Sequence, residues 1–160
     1  MIIGIDPGND GAIALLSDDE IQLWDIDGSL VDAINRLALI KRMWPVNLDG
    51  AVIEKVGAFP GQGRQSCFVF GANWGHLRGA CIALGIPILA EPIPAKWKAA
   101  IFGAGKRPKE KSALKQLSRD KARELFPSAS ADLARKKDAD RAEALLLAEY
   151  GRRLLRGDRP

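Results

Sequence analysis

Histidine and tyrosine each occur once in these 160 residues, and cysteine twice. Cys67 and Cys81 lie far apart with no CxxC spacing, which excludes a zinc site or a disulfide framework of the usual kinds. Two reduced, buried thiols are expected instead. No Ser–His or Cys–His pair is evident. The one histidine, His76, sits among Trp74, Leu77 and small residues, where a structural part is expected of it. No apolar run reaches the roughly 18 residues of a membrane span, and no basic segment precedes the N-terminal apolar run. A cytoplasmic protein without a membrane partner is therefore expected. Internal repeats and low-complexity tracts are also missing.

What remains is the composition of a folded protein, 47% hydrophobic and 28% charged. Its length suits one domain over residues 1–160, with a sizeable core. The net charge of +4 is unevenly spread. Residues 1–95 carry 6 Lys and Arg against 11 Asp and Glu, whereas residues 96–160 carry 18 against 9. An acidic half joined to a basic half suits a protein that grips a polyanion and cuts it. Charge alone fits a solvated basic face equally well.

The element pattern is legible along most of the chain. Ile2 to Asp6 reads as a buried strand, Pro7 to Gly11 as a turn, and Ala12 to Leu16 as a second strand. Asp10 in that turn reads as a residue tolerant of positive φ. Ile21 to Ile26 alternates as a third strand. Ser29 is placed to cap a helix running to about Met43, with Leu30, Ile34, Leu37 and Ile40 on one face. Asp49 to Glu54 and Pro87 to Ala90 complete five strands. Helices are expected at 95–102, 112–125 and 139–155. Between strands four and five, Gly71, Gly75 and Gly79 share one face of a further helix. This order predicts an α/β fold: a mixed five-stranded sheet, its first three strands antiparallel, flanked by helices on both faces.

Four acids stand out against that framework. Asp6 closes the first strand and Glu54 the fourth, both at carboxyl ends, where sites gather in such sheets. Asp140 and Glu143 open the last helix three residues apart. Charge at the tip of a buried strand is costly unless it is paired or metal-bound, and an all-carboxylate set suits a hard divalent cation. Asp138 competes for a place in the set. Positions 140 and 143 share a face with Leu147, whereas 138 points about 200° from 140, so Asp138 is read as the helix N-cap.

The segment Ile3-Gly4-Ile5-Asp6-Pro7-Gly8 resembles the N-terminus of RuvC-like Holliday junction resolvases, within the RNase H-like superfamily. So do Val52-Ile53-Glu54 and the stretch Asp140 to Ala148, like the family's final helix with its two spaced acids. Pro94-Ala95-Lys96-Trp97-Lys98 and Leu125-Phe126-Pro127 resemble phage-type members, which would place the protein in the host cytoplasm. The likeness covers nearly the whole chain, and its strength lies in four motifs standing in the right order. It implies an RNase H-like, Mg²⁺-dependent endonuclease (with Mn²⁺ as a substitute) that acts as a homodimer on four-way DNA junctions. Asp6, Glu54, Asp140 and Glu143 would hold two ions, and paired nicks would leave 5′-phosphate and 3′-hydroxyl ends. Two departures from the family are Glu143, where many relatives have Asp, and Arg141, beside the site where some members carry a histidine.

Further residues attach to that reading. Phe59 follows Glu54 where relatives insert an aromatic wedge, with Arg64 shortly after. Trp97, between Lys96 and Lys98, suits either stacking on a base, with Lys98 among the phosphate contacts beside it, or pinning its helix to the sheet. Lys106, Arg107, Lys109 and Lys111 form a Gly-rich basic loop suited to phosphates, which Lys115, Arg119 and Arg123 extend at four-residue spacing. Three glycines inside a helix cost about 0.5–1 kcal/mol each. Close approach of this chain's own sheet or of a second subunit would offset them. Two other classes share parts of the pattern: a catalytically silent RNase H-like binding module, and the phosphate loop of actin-like ATPases and sugar kinases. The latter need two such domains in far longer chains.

Overall fold

The computed structural model describes residues 1–55, 57, 63–103 and 105–158. Five strands, β1 (Ile2–Asp6), β2 (Ala12–Leu16), β3 (Ile21–Asp25), β4 (Gly50–Ile53) and β5 (Ile88–Ala90), form one sheet in the order β3-β2-β1-β4-β5. β1–β2 and β2–β3 are antiparallel; β1–β4 and β4–β5 are parallel. Five α-helices accompany them: α1 (Leu30–Met43), α2 (Arg64–Ala83), α3 (Pro94–Phe102), α4 (Lys111–Leu125) and α5 (Ala139–Arg156). Each expected strand and helix is present, with bounds within one or two residues of the sequence reading. Ser29 caps α1 as expected, its Oγ accepting the Asp32 N–H.

Strand parity sorts the sheet into two faces. Ile3, Ile5, Ile13, Leu15, Ala51 and Ile53 point one way and pack with Leu37 and Ile40 of α1 and Leu77 and Cys81 of α2. Ile2, Ala14, Leu16 and Val52 point the other way, into a core built by α3, α4 and α5. By the same alternation Asp6 and Glu54 belong to the α5 face. Position and orientation of both acids thus follow from one alternating pattern in each strand.

Helix α5 lies very close to β1, and small residues permit it. A Cβ on Gly4 would fall on the Ala144 carbonyl and the Ala148 nitrogen, and one on Gly151 would meet Val52 and Ile2. Glycine inside a strand often marks this kind of backbone approach. The seam of Gly4, Ala144, Ala148 and Gly151 sets the height at which the first turn of α5 meets the end of β1.

Some local expectations change. Asp10 is exposed and does not have positive φ; among non-glycine described residues that conformation belongs to Asp27, φ 44°. His76 is exposed on α2 rather than packed. Cys81 is buried, its thiol pushed up to about 12 by desolvation, whereas Cys67 is only half-buried. No described helix is long and apolar enough to cross a membrane.

Candidate active site

The register of β1 on β4 pairs Ile5 with Ile53, and the Glu54 N–H donates to the Ile5 carbonyl at 3.0 Å. Asp6 and Glu54 therefore end adjacent parallel strands at the same level. From above them the first turn of α5 contributes Asp140 and Glu143. Asp6, Asp140 and Glu143 each offer a carboxylate oxygen, all within 4.8 Å of one another. Glu54 lines the same pocket, of about 270 Å³, together with Asn9, Asp10, Phe70, Lys111 and Lys115.

Five carboxylates line this small pocket, Asp10 at its exposed edge, and they repel one another, while burial of the other four removes water that would screen them. Asp6, almost wholly enclosed, has its carboxyl held well above the ordinary range, first by desolvation and then by the charges of Glu54, Glu143 and Asp140. Its one local relief is the Gly8 N–H, which donates to Oδ1 at 3.0 Å. Desolvation also raises Glu54, against the opposing hydrogen bond from Trp97. Asp140 is raised by the same cause, against the pull of Lys115. An oxygen-only, self-repelling cluster fits a hard divalent cation, whose charge relieves the repulsion and whose coordination accepts carboxylates.

Each of the other three acids has its own donor. Trp97 Nε1 donates to Glu54 Oε1 at 2.7 Å. Ser118, buried on α4, donates to Glu143 Oε1 at 2.9 Å, and Lys98 Nζ reaches the same oxygen at 2.7 Å. Lys115 Nζ stands 2.9 and 3.0 Å from the two oxygens of Asp140. Burial lowers the Lys115 ammonium pKa, but its hydrogen bond to Asp140 and the charges of Asp140, Glu143 and Asp6 together raise it. Lys98 and Lys115 are thus the protein's own counter-ions for the cluster.

Asp138 occupies the N-cap position of α5, yet its side chain makes no capping bond to that helix. It turns back instead, accepting the Arg135 N–H at 2.7 Å and pairing with the Arg135 guanidinium at 2.9 Å. The pairing with Arg135 holds its carboxyl below the ordinary value against the cost of burial. Asp138 is a brace for the turn before α5 and lies outside the pocket.

The structure gives the basic and aromatic candidates specific partners. Trp97 is fully enclosed in the α5-side core, so it pins α3 and orients Glu54; base stacking is closed to it. Lys98 and Lys115 sit on Glu143 and Asp140. Arg119 is buried and donates to the Ala134 carbonyl, so it does not extend a surface patch. Arg107 folds back on the carbonyls of Lys98 and Gly103 at the end of α3. Arg141 pairs with Asp25 on β3 at 2.5–2.6 Å and lies outside the pocket lining. Arg64, Lys106, Lys109, Lys111 and Arg123 are exposed. Phe59 lies outside the described residues.

Ser118 and Phe70 are site residues that the sequence reading passes over. For Ser118 a signal was available: Lys111, Lys115 and Ser118 follow i, i+4, i+7 and share one face of α4. That face points at the acids only because α4 packs on α5.

No protein-family model matches this chain, and no curated protein matches it closely enough to count. The sheet order, and strand-end acids met by acids from the last helix, define an RNase H-like α/β fold. Within that class, the fold is that of RuvC. The structure described as T. thermophilus RuvC in complex with Holliday junction substrate aligns with a TM-score of 0.59 over 96% of this chain and 94% of its own, at 15% sequence identity. A Thermus thermophilus RuvC structure aligns with a TM-score of 0.55, covering 96% and 95%, at 18% identity.

Proposed function

We propose that the protein is a metal-dependent DNA endonuclease that resolves four-way junctions, in the manner of a phage-type RuvC-like resolvase. The observation that carries the reading is the trio Asp6, Asp140 and Glu143, the first and last buried and Asp140 half-buried, with oxygens within 4.8 Å of one another, in a pocket that Glu54 also lines. The RuvC-type fold supports the junction as substrate, since one of the matching structures is a complex with a Holliday junction substrate.

Asp6, Glu54, Asp140 and Glu143 would hold two Mg²⁺ ions, or Mn²⁺ in their place. Bound divalent cations supply an activated water and stabilise the leaving oxygen of a phosphodiester. Trp97 and Ser118 each engage Oε1 of Glu54 and Glu143, so the other oxygen of each would be the one to meet a cation. Hydrolysis at the 3′-oxygen gives 5′-phosphate and 3′-hydroxyl ends. Lys111, which lines the pocket, and Lys106 and Lys109, exposed on the preceding loop, would offer charge to flanking phosphates.

A homodimer gives two such sites and paired nicks. Helix α2 supports it. Nothing lies within 4 Å of where a Cβ would stand on Gly71, Gly75 or Gly79, so this chain's own sheet does not account for them. Phe68 and Ile82, 77% and 57% exposed, continue the same apolar stripe. One domain over residues 1–160, at work in the cytoplasm, completes the reading.

The test is incubation with a labelled four-way junction and a matching linear duplex, in Mg²⁺ and in EDTA. Paired, Mg²⁺-dependent nicks in opposing strands of the junction, with the duplex spared, are expected. Equal cutting of both substrates removes junction selectivity. Binding without cleavage, in Mg²⁺ or in Mn²⁺ in its place, makes the protein a silent binding module.

A further inference from the structure

A second cleft lies beside the acidic pocket and differs from it in charge. Ser112, Lys115 and Arg119 of α4 form one wall, and Lys136 and Lys137, from the turn before α5, form the other; it encloses about 660 Å³. Among the described residues no carboxylate lines it. Of the acids nearest in sequence, Asp138 is engaged with Arg135 and Asp120 with Gln116, while Glu110 accepts from Ser112 and Asp140 holds Lys115. Lys136 and Lys137 are exposed. Lys115 is neutralised by Asp140 and Arg119 donates to the Ala134 carbonyl, but Lys136 and Lys137 add two adjacent exposed cations with no carboxylate in the lining, an arrangement that attracts an anion. The opening turn of α4 adds backbone N–H groups suited to phosphate oxygens, beside a Ser112 hydroxyl that donates to Glu110.

Lys115 lines both concavities. Its ammonium rests on Asp140, so the two clefts adjoin at this residue. The basic cleft is also far larger than one phosphate requires. A ligand with successive charges, one in the acidic pocket and others beyond Lys115, fits this layout better than a single small anion.

We propose that the cleft between α4 and the 135–138 turn binds the DNA backbone on one side of the bond to be cut, through Lys136, Lys137 and Lys115. This track is separate from the loop at residues 106–111, and it rests on the nuclease reading above. It also gives the turn before α5 a binding role: Arg135 and Asp138 brace the turn that presents both lysines.

The experiment uses full-length protein carrying Asp6→Asn, so that substrate stays intact, with and without Lys136→Gln and Lys137→Gln. Junction binding is measured across a salt series. With both lysines changed, affinity should fall several-fold and the log–log salt slope should decrease by roughly 2, since each lost phosphate contact is worth about 0.9. Junctions with single neutral methylphosphonates near the cut site then locate the contact. A position that weakens binding by the Asp6→Asn protein should become silent once Lys136 and Lys137 are changed, as double-mutant logic requires of a direct pair. Unchanged affinity and slope, or an unchanged methylphosphonate pattern, overturns the proposal. If Lys106→Gln with Lys109→Gln weakens binding while the Lys136 and Lys137 changes do not, the cleft falls and the nuclease reading stands. If the Asp6→Asn protein binds neither junction nor duplex, the nuclease reading falls and the cleft with it.

Discussion

The indole N–H of Trp97 donates to Glu54 Oε1 at 2.7 Å, and Trp97 is itself fully enclosed. A rigid, buried donor on α3 therefore fixes the orientation of a carboxylate at the end of β4. Groups that orient metal ligands are commonly worth about 10–100-fold in metal affinity or activity. Trp97→Phe keeps most of the packing volume and deletes the donor. Mn²⁺ affinity by calorimetry and junction nicking should both fall within that range. Junction binding in EDTA should be unchanged, and a loss there would mean that α3 had moved.

Acid crowding makes the metal-free protein sensitive to pH in a defined direction. Asp6, Glu54 and Asp140 all have carboxyls raised by burial, so the folded state holds protons more tightly than the unfolded chain. Their contribution is favourable below the ordinary carboxylate value, near 4, and is lost as pH rises through the raised values. In EDTA, Tm should therefore fall relative to that of Asp6→Asn as pH increases from about 4 to 7. Mg²⁺ should stabilise the unsubstituted protein at pH 7 and stabilise Asp6→Asn much less. Thermal scans at several pH values read both effects. Asp6→Asn should also abolish cleavage while keeping junction binding.

Lys115 faces two ways, and its removal should have opposite effects on two ligands. Its ammonium neutralises Asp140 at 2.9 Å and competes with any cation for that carboxylate. Lys115→Met should strengthen Mn²⁺ binding by roughly fivefold, since one partly exposed opposing charge is worth about 1 kcal/mol. The same change should weaken junction binding in EDTA. Calorimetry and a gel-shift series separate the two; movement of both in one direction would mean that Lys115 only supports the fold.

Gly4 tests the seam between sheet and last helix. Its missing Cβ leaves the space that the α5 backbone occupies at Ala144 and Ala148. Gly4→Ala forces backbone apart rather than a flexible side chain, so destabilisation of about 1–3 kcal/mol or more is expected by denaturant unfolding. Surviving folded protein should bind Mn²⁺ poorly, because Asp140 and Glu143 move with α5. By contrast, Gly75→Ala should be tolerated by the monomer, since nothing stands near that Cβ.

Much of this was written in local patterns. Alternation along Ile2–Asp6 and Gly50–Ile53 set which face each strand presents, and Asp6 and Glu54 at strand ends followed from the same count. The spacing of Asp140 and Glu143 put both on one side of α5, because helical geometry depends on residue number alone. Ser29 and the turn residues marked boundaries through their own hydrogen bonds. These are short-range effects, and neighbours in sequence suffice to read them.

Partnerships across the chain were a different matter. Lys98 and Lys115 looked like phosphate contacts by type, and Trp97 suited stacking or packing equally. Arg141 seemed to belong to the acids, but it reaches Asp25, 116 positions earlier. Only the docking of α3 and α4 on α5 placed Trp97 on Glu54, Ser118 on Glu143 and Lys115 on Asp140. The sequence by itself determined the elements, their faces and the four acids, because periodicity and strand ends are local. Tertiary structure decided which cation sits on which acid and where the basic cleft lies, because a charge takes the partner nearest in space, and that distance is set by packing.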